Sequence, residues 1–301
     1  MFVKNLLIVL LALLSLTSTV FAKQFNAVVV YGDSLSDNGN LYQYSGQPGA
    51  PYYDGRRSNG PVAVEQLAST LGAPLIDFAW IGATTGVGNY ADDGTALSSG
   101  TFGLPGMAPI YAASKSSLGP FKANGLFIVW GGPNDILALP LDPLTIQRAV
   151  TNELAIITDL KAIGVQTILA PGMPDLGLTP YFKSQGPAFA AWGTALTDAF
   201  NAALQAQLPD CVLYYDTAAL FRDLVNNPAA YGFTNATDYY LNALSGDPNG
   251  YVFFDDFHPT TAAHALLARE FAAAAAVPEP TTILMVGMGI GALVILRRRK
   301  G

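Results

Sequence analysis

The stretch Val28-Val-Val-Tyr-Gly-Asp-Ser-Leu-Ser-Asp37 opens on an apolar, β-branched run and turns at a glycine into polar residues that suit the start of a helix. With Ala27 ahead of it, the run reads as a strand buried on both faces. Gly32 permits a sharp turn, so Ser34 stands just beyond the carboxyl end of the strand, where open α/β sheets place their ligands. Working outward, similar short apolar runs recur at 75–78, 126–130, 167–170 and 212–215. Segments of helical length and pattern lie at 61–71, 144–163, 188–207 and 260–276. Strands alternating with helices predict an α/β fold, a three-layer α/β/α sandwich with a five-stranded parallel sheet. Residues 38–60 and 82–120 break the alternation. The first is rich in Gly, Tyr, Asn and Pro and the second in Gly, Ser, Thr, Ala and Pro, so both read as long irregular loops of the kind that bind ligands.

The ends of the chain are of a different character. Residues 1–22 carry Lys4, a leucine-rich run from Leu6 to Leu14, and small residues at Val20 and Ala22, the pattern of a secretory signal peptide cut after Ala22. Residues 277–301 begin with Val277-Pro-Glu-Pro280, continue through an apolar stretch at 283–296 and stop at Arg297-Arg-Arg-Lys300. A basic cluster after an apolar stretch holds that end on the cytoplasmic side and leaves the preceding domain outside. The stretch is shorter than the about 20 residues of an ordinary span, but a plain membrane anchor is the alternative to a temporary one. Between these ends, residues 23–276 form one domain with 10 basic and 21 acidic residues, a net charge of about −11. That balance argues against nucleic acid or an anionic surface as partner and favours a neutral substrate. The single cysteine, Cys211, forms no internal disulfide, and two histidines in all leave no Cys/His cluster for zinc.

Nucleophilic catalysis needs a nucleophile, a base and donors for the developing oxyanion. His258, in Phe253-Phe-Asp-Asp-Phe-His-Pro-Thr260, has a carboxylate three residues upstream, Asp255, that can reach its Nδ1 across a tight turn and leave Nε2 for the serine. Asp256, two residues upstream, is the alternative orienting carboxylate. His264 lies in the apolar helical run Ala262-Ala-His-Ala-Leu-Leu-Ala268 and is expected to be packed there. Gly82 follows the second strand in Phe78-Ala-Trp-Ile-Gly-Ala-Thr-Thr85, and Asn134 follows the third in Trp130-Gly-Gly-Pro-Asn-Asp135. The one offers a free backbone N–H, the other a neutral side-chain donor. Each has a bland reading: Ser34 or Asn134-Asp135 as helix caps, Gly82 as a turn glycine. The Gly-x-Ser-x-Gly nucleophile elbow is not satisfied, since position 36 is serine.

Taken in order, Gly32-Asp33-Ser34-Leu35-Ser36, Gly82, Gly132-Pro-Asn134-Asp135 and Asp255-Asp-Phe-His258-Pro resemble the blocks of the GDSL or SGNH hydrolase family. The resemblance spans residues 25–271 and extends to the lipase-type branch through Ser36-Asp-Asn-Gly-Asn40 and Gly55-Arg-Arg-Ser-Asn-Gly-Pro61. It implies a flavodoxin-like fold, with Ser34 as nucleophile and Asp255 and His258 completing the triad. It further implies an oxyanion hole made by the Ser34 N–H, Gly82 and Asn134, and no metal or cofactor. The implied reaction is hydrolysis of a lipid or short-chain acyl ester through an acyl-enzyme. A carbohydrate acetylesterase acting on acetylated glycan, or an acyltransferase, uses the same blocks, and a non-catalytic surface-binding protein is the rival of another class. Tyr42, Tyr44, Tyr52, Tyr53, Phe102 and Tyr111 offer apolar walls for the acyl group. The tail resembles the PEP-CTERM sorting signal, with Pro278-Glu279-Pro280 as its motif. That implies the export machinery and an exosortase-type processing protease as partners, with the protein anchored in the inner membrane and then released or attached to the cell surface.

Overall fold

A computed structural model describes residues 24–276. The expected leader and the sorting tail, including its apolar stretch at 283–296, lie outside the described residues. Five strands, β1 (Ala27–Gly32), β2 (Leu75–Asp77), β3 (Gly125–Trp130), β4 (Thr167–Pro171) and β5 (Leu213–Tyr215), form one parallel sheet in the order β2-β1-β3-β4-β5. The register runs from Ala27 opposite Gly125 to Gly32 opposite Trp130 along the central pair. After β1 the chain moves to one side to make β2, then crosses to the other side for β3. The crevice between the carboxyl ends of β1 and β3 is therefore a topological switch point, the place where such sheets bind ligands.

Both faces are buried because every strand residue of β1 and β3 is apolar or glycine and alternates between two cores. Val28, Val30, Leu126 and Ile128 point to the helices Ala63–Leu71, Thr217–Asn226 and Thr261–Ala276. Ala27, Val29, Tyr31, Phe127 and Val129 point to Met107–Ser114 and Thr145–Ala162. A third cluster, around Phe182, Phe200 and Met173, packs the long helix Pro187–Gln207 against Thr145–Ala162. The three-layer α/β/α sandwich expected from the alternation is the observed fold, with element ends within two residues of those expected.

Three features differ from the expectation. The helix Thr217–Asn226, capped by the Asp216 carboxylate accepting from the Ala219 N–H, adds a further cover to the sheet. A second, two-stranded parallel sheet forms from β6 (Asn235–Tyr239) and β7 (Tyr251–Phe253) and leads directly into the His258 turn. The two expected irregular loops are largely ordered: Asn40–Ser45 and Met107–Ser114 are helical, and the segment between 82 and 106 is held by inward-turned polar side chains. Asn89 donates to the Ile81 carbonyl and accepts from the Ala91 N–H, and Asp92 accepts from the Phe102 and Leu104 N–H groups. Buried backbone in a loop needs such partners, and here short side chains supply them.

Candidate active site

The ends of β1, β2 and β3 each deliver one group to the crevice, and the turn after β7 delivers a fourth. From the turn after β1, the Ser34 Oγ lies 2.8 Å from His258 Nε2. His258 comes from the turn between β7 and the helix Thr261–Ala276. The Phe254 N–H donates to its carbonyl there at 2.7 Å, and Pro259 bridges back to Phe253. On the other side of the ring, Nδ1 lies 2.8 and 2.9 Å from the two Asp255 oxygens. The Phe257 and His258 N–H groups also donate to Asp255 Oδ1, at 2.9 and 2.6 Å. Burial alone would raise the Asp255 pKa, but the adjacent His258 ring and these donors outweigh it and bring the carboxyl down to about 2. The tight turn thus fixes the carboxylate as an ionised acceptor. Asp256 lines the same cavity without a hydrogen bond to the ring, and its backbone carbonyl accepts from the Tyr181 N–H instead. Burial raises its carboxyl pKa.

Gly82 follows β2 at a φ of +80°, the left-handed region, and a Cβ there would lie 2.2 Å from the Asn89 Oδ1, so only glycine fits. Its carbonyl accepts from the Tyr90 N–H. Among the described residues neither the Gly82 nor the Ser34 N–H has a protein acceptor, and both residues line the cavity. Asn134, in the helix Pro133–Ala138 after β3, is 6% exposed and gives both hydrogens of its Nδ2 to acceptors, Ala83 O at 3.0 Å and Asp33 Oδ2 at 3.2 Å. Asp33 also accepts from the Leu35 N–H, and burial pushes its carboxyl up to about 6. Behind it Asp135 accepts from the Thr85 N–H and hydroxyl, and burial pushes that carboxyl up to about 7. These links lock the loop carrying Gly82 to the helix carrying Asn134.

The structure therefore brings Ser34, Asp255, His258, Gly82 and Asn134 to the rim of one cavity of about 410 Å³. Ile81, Leu137, Leu176 and Phe257 supply apolar walls. Of the six aromatics considered for those walls, Tyr52 alone borders this cavity. Tyr111 is in the core against Tyr31, while Tyr42, Tyr44, Tyr53 and Phe102 are exposed. His264 is 1% exposed and stays away from the site, its Nδ1 accepting from the Ala63 N–H at 3.2 Å. Sequence reading missed the hydroxyl of Tyr52, which donates to Asp255 Oδ2 at 2.8 Å. It also missed Arg57, whose guanidinium sits over the Tyr52 ring. The adjacent Gly55-to-Pro61 segment had marked the region as one beside the site, but without roles for these side chains.

Residues 28–271 match the GDSL-like Lipase/Acylhydrolase family, and residues 276–300 match the PEP-CTERM protein-sorting motif. The chain is 28% identical over 280 residues to the thermolabile hemolysin of Vibrio parahaemolyticus, an alignment that covers 82% of this chain and 63% of that protein. It is 25% identical over 300 residues to the phosphatidylcholine-sterol acyltransferase of Aeromonas hydrophila, covering 81% and 88% respectively. Among solved structures, a gut microbial diltiazem-metabolizing enzyme superposes with a TM-score of 0.50 at 14% identity, over 84% of this chain and 47% of that one, a likeness of fold.

Proposed function

The chain belongs to the GDSL-like lipase/acylhydrolase family, a family of carboxylic ester hydrolases, and from that premise we propose that Ser34, His258 and Asp255 hydrolyse an acyl ester through an acyl-enzyme. The observation that carries this reading is the unbroken line from Asp255 through both nitrogens of His258 to the Ser34 Oγ, each step 2.8 to 2.9 Å long. Ser34 Oγ attacks the ester carbonyl while His258 Nε2 takes its proton, and the ionised Asp255 stabilises the imidazolium that results. The tetrahedral oxyanion accepts from the Ser34 and Gly82 N–H groups and from Asn134 Nδ2. For Asn134 this means exchanging its longer bond, the one to Asp33, for the bond to the oxyanion. His258 then protonates the leaving alcohol, and a water activated by the same nitrogen releases the acid and restores Ser34. No step draws on a metal or cofactor.

The walls of the cavity and its size suit an acyl chain of short to moderate length. The name of the Aeromonas relative favours one second reading, transfer of the acyl group to an alcohol acceptor in place of water. Because the sorting motif marks the chain for export, the catalytic domain would act outside the cytoplasm. The tail would tether it to the inner membrane until an exosortase-type protease cuts near Pro280. Among the described residues no helix is long and apolar enough to cross a membrane.

Incubating the full chain with a fluorophosphonate should label Ser34, with p-nitrophenyl ester turnover lost in step, and Ser34→Ala should abolish both. A labelled, active Ser34→Ala protein would sink the assignment. Adding a long-chain alcohol and analysing products separates transfer from hydrolysis. Mass analysis of the protein from its own host should find a C-terminus near Pro280, and an intact tail would reject processing.

A further inference from the structure

Asp255 Oδ1 is held by three donors from its own turn, the His258 ring and the Phe257 and His258 N–H groups. Oδ2 receives the same ring and one donor from elsewhere, the Tyr52 hydroxyl at 2.8 Å, contributed by a segment 203 positions earlier in the chain. The Tyr52 ring is fixed edge-on to Phe254 at 5.5 Å, on the residue just before the aspartate. Burial first, and Asp255 second, push the Tyr52 hydroxyl up to about 12, so it stays a neutral donor across the working range.

A tyrosine hydroxyl has one hydrogen, and its direction is set by what else the oxygen meets. Here it meets Arg57: the guanidinium lies 5.1 Å from the Tyr52 ring centroid and donates from Nη1 to the Tyr52 oxygen at 3.2 Å. A guanidinium has no acceptor, so the Tyr52 oxygen must be the acceptor in that contact and its own hydrogen is left for Asp255. Arg57 makes no ion pair among the described residues, and its buried Nε has no hydrogen-bond partner. In a domain with twice as many acidic as basic residues, an arginine at the site without a carboxylate of its own is committed to this contact.

We propose that Tyr52 and Arg57 are positioning residues that extend the triad outward, with Arg57 orienting the Tyr52 hydroxyl and Tyr52 holding the free oxygen of Asp255. The chain of donors runs Arg57 to Tyr52 to Asp255, and from there through His258 to Ser34. The relay has two consequences. It keeps both carboxylate oxygens in the plane that His258 Nδ1 requires, and it draws charge from Asp255 away from the ring. It also ties the segment around residues 52–57 to catalysis through a side chain that touches neither Ser34 nor the imidazole.

The inference rests on the catalytic reading of Ser34, and the test keeps the two apart. Steady-state kinetics on a p-nitrophenyl ester are measured for the full chain and for Tyr52→Phe, Arg57→Gln, Arg57→Lys, Tyr52→Phe/Arg57→Gln and Ser34→Ala. Tyr52→Phe retains the ring and its contact with Phe254, and should lower kcat by about tenfold with KM nearly unchanged. Arg57→Gln should lower kcat by a smaller factor, and Arg57→Lys should recover part of the loss. On the Tyr52→Phe background Arg57→Gln should add nothing, because its effect passes through the missing hydroxyl.

The pH profile supplies the readout that a packing role would not move. Without the Tyr52 donor, Asp255 concentrates its charge on the imidazole and favours its protonated form, so the acid limb of kcat/KM should move to higher pH by about half a unit. The other charged or titratable groups facing the pair are Asp33, Asp256, His264 and Arg57, and all four residues are the same in the parent and in Tyr52→Phe, where Arg57 loses only its acceptor. An unchanged kcat and acid limb in Tyr52→Phe would overturn the proposal. So would a rise in KM with kcat intact, or an independent multiplicative loss in the double variant. Turnover surviving in Ser34→Ala would instead defeat the reading on which the proposal rests. Should Tyr52→Phe fail to fold, the fall in kcat with Arg57→Gln and its recovery with Arg57→Lys decide the matter alone.

Discussion

His258 and His264 are the only histidines of the chain, six residues apart, and the fold gives them opposite surroundings. His258 sits in the turn before the last helix with its ring 17% exposed to the cavity and each nitrogen facing a side chain, Asp255 on one side and Ser34 on the other. His264 lies within the helix, sealed from solvent, with a backbone N–H from Ala63 at its Nδ1. Burial holds its pKa down to about 3, so it is a neutral acceptor that joins two helices. In the proposed mechanism the same imidazole is a proton carrier where a turn exposes it to a carboxylate and a serine. Six residues further along, inside the helix, it is a packing piece.

The largest effect should be the loss of turnover in His258→Ala, about 10⁴-fold or more in kcat, with a melting temperature close to the parent's. His264→Ala should leave kcat per folded molecule nearly unchanged. A comparable loss of kcat in both variants would break the contrast between the two histidines.

The carboxylates beside His258 sharpen the contrast next. Asp255→Asn should lower kcat by about 10²-fold or more, because the amide no longer fixes the ring tautomer or offsets the imidazolium charge. Asp256→Asn should change it by less than about threefold, since that side chain makes no bond to the ring. Equal effects would mean that the orienting carboxylate is not settled by the turn geometry.

A third effect belongs to stability. His264→Ala removes a buried ring and leaves the Ala63 N–H without its acceptor, and should cost about 2–4 kcal/mol in denaturant unfolding. The helix Ala63–Leu71 packs against the helix carrying His264, so the loss is felt by a face of the sheet rather than by the site. An unchanged midpoint would show that water or a neighbour satisfies the N–H in the variant.

Much of this was legible because the decisive residues follow buried strands. Val28 to Tyr31 and Leu126 to Trp130 are apolar throughout, so buried strands followed from the residues themselves, the parallel layered sheet from their alternation with helical segments, and Ser34 and Asn134 from the strand ends. Asp255 and His258 were legible because their contact spans one turn. Tyr52 was legible only as an aromatic near the site, since its bond to Asp255 joins residues 203 positions apart and no local pattern encodes it. The segment around 82–106 read as irregular because its order comes from Asn89 and Asp92 turning inward, whereas Asn and Asp in a glycine-rich stretch ordinarily signal solvent. The β6 and β7 pair was missed for a related reason. Asn235–Tyr239 alternates too weakly to signal a strand, and its partner is only three residues long.

The smallest expected effect is a slope. A histidine whose pKa falls from 6.5 to about 3 on folding binds fewer protons in the native than in the unfolded state between those values. Stability from this group is therefore full above pH 6.5 and is lost as pH falls towards 3, by about 2 kcal/mol at pH 5. Asp255, down to about 2, adds a loss of the same sign below its ordinary value of 3.8. Asp33 and Asp135 act the other way. Raised to about 6 and about 7, they contribute stability below pH 3.8 that is lost as pH rises through those values. The parent's profile sums these opposing slopes and isolates none of them, so the informative quantity is the difference from His264→Asn. That variant keeps an acceptor for the Ala63 N–H but carries no charge. The advantage of the parent over His264→Asn should be constant above pH 7 and shrink steadily from 6.5 downwards. A difference independent of pH would mean that His264 can take up a proton where it stands, and the contrast with His258 would then lie in geometry alone.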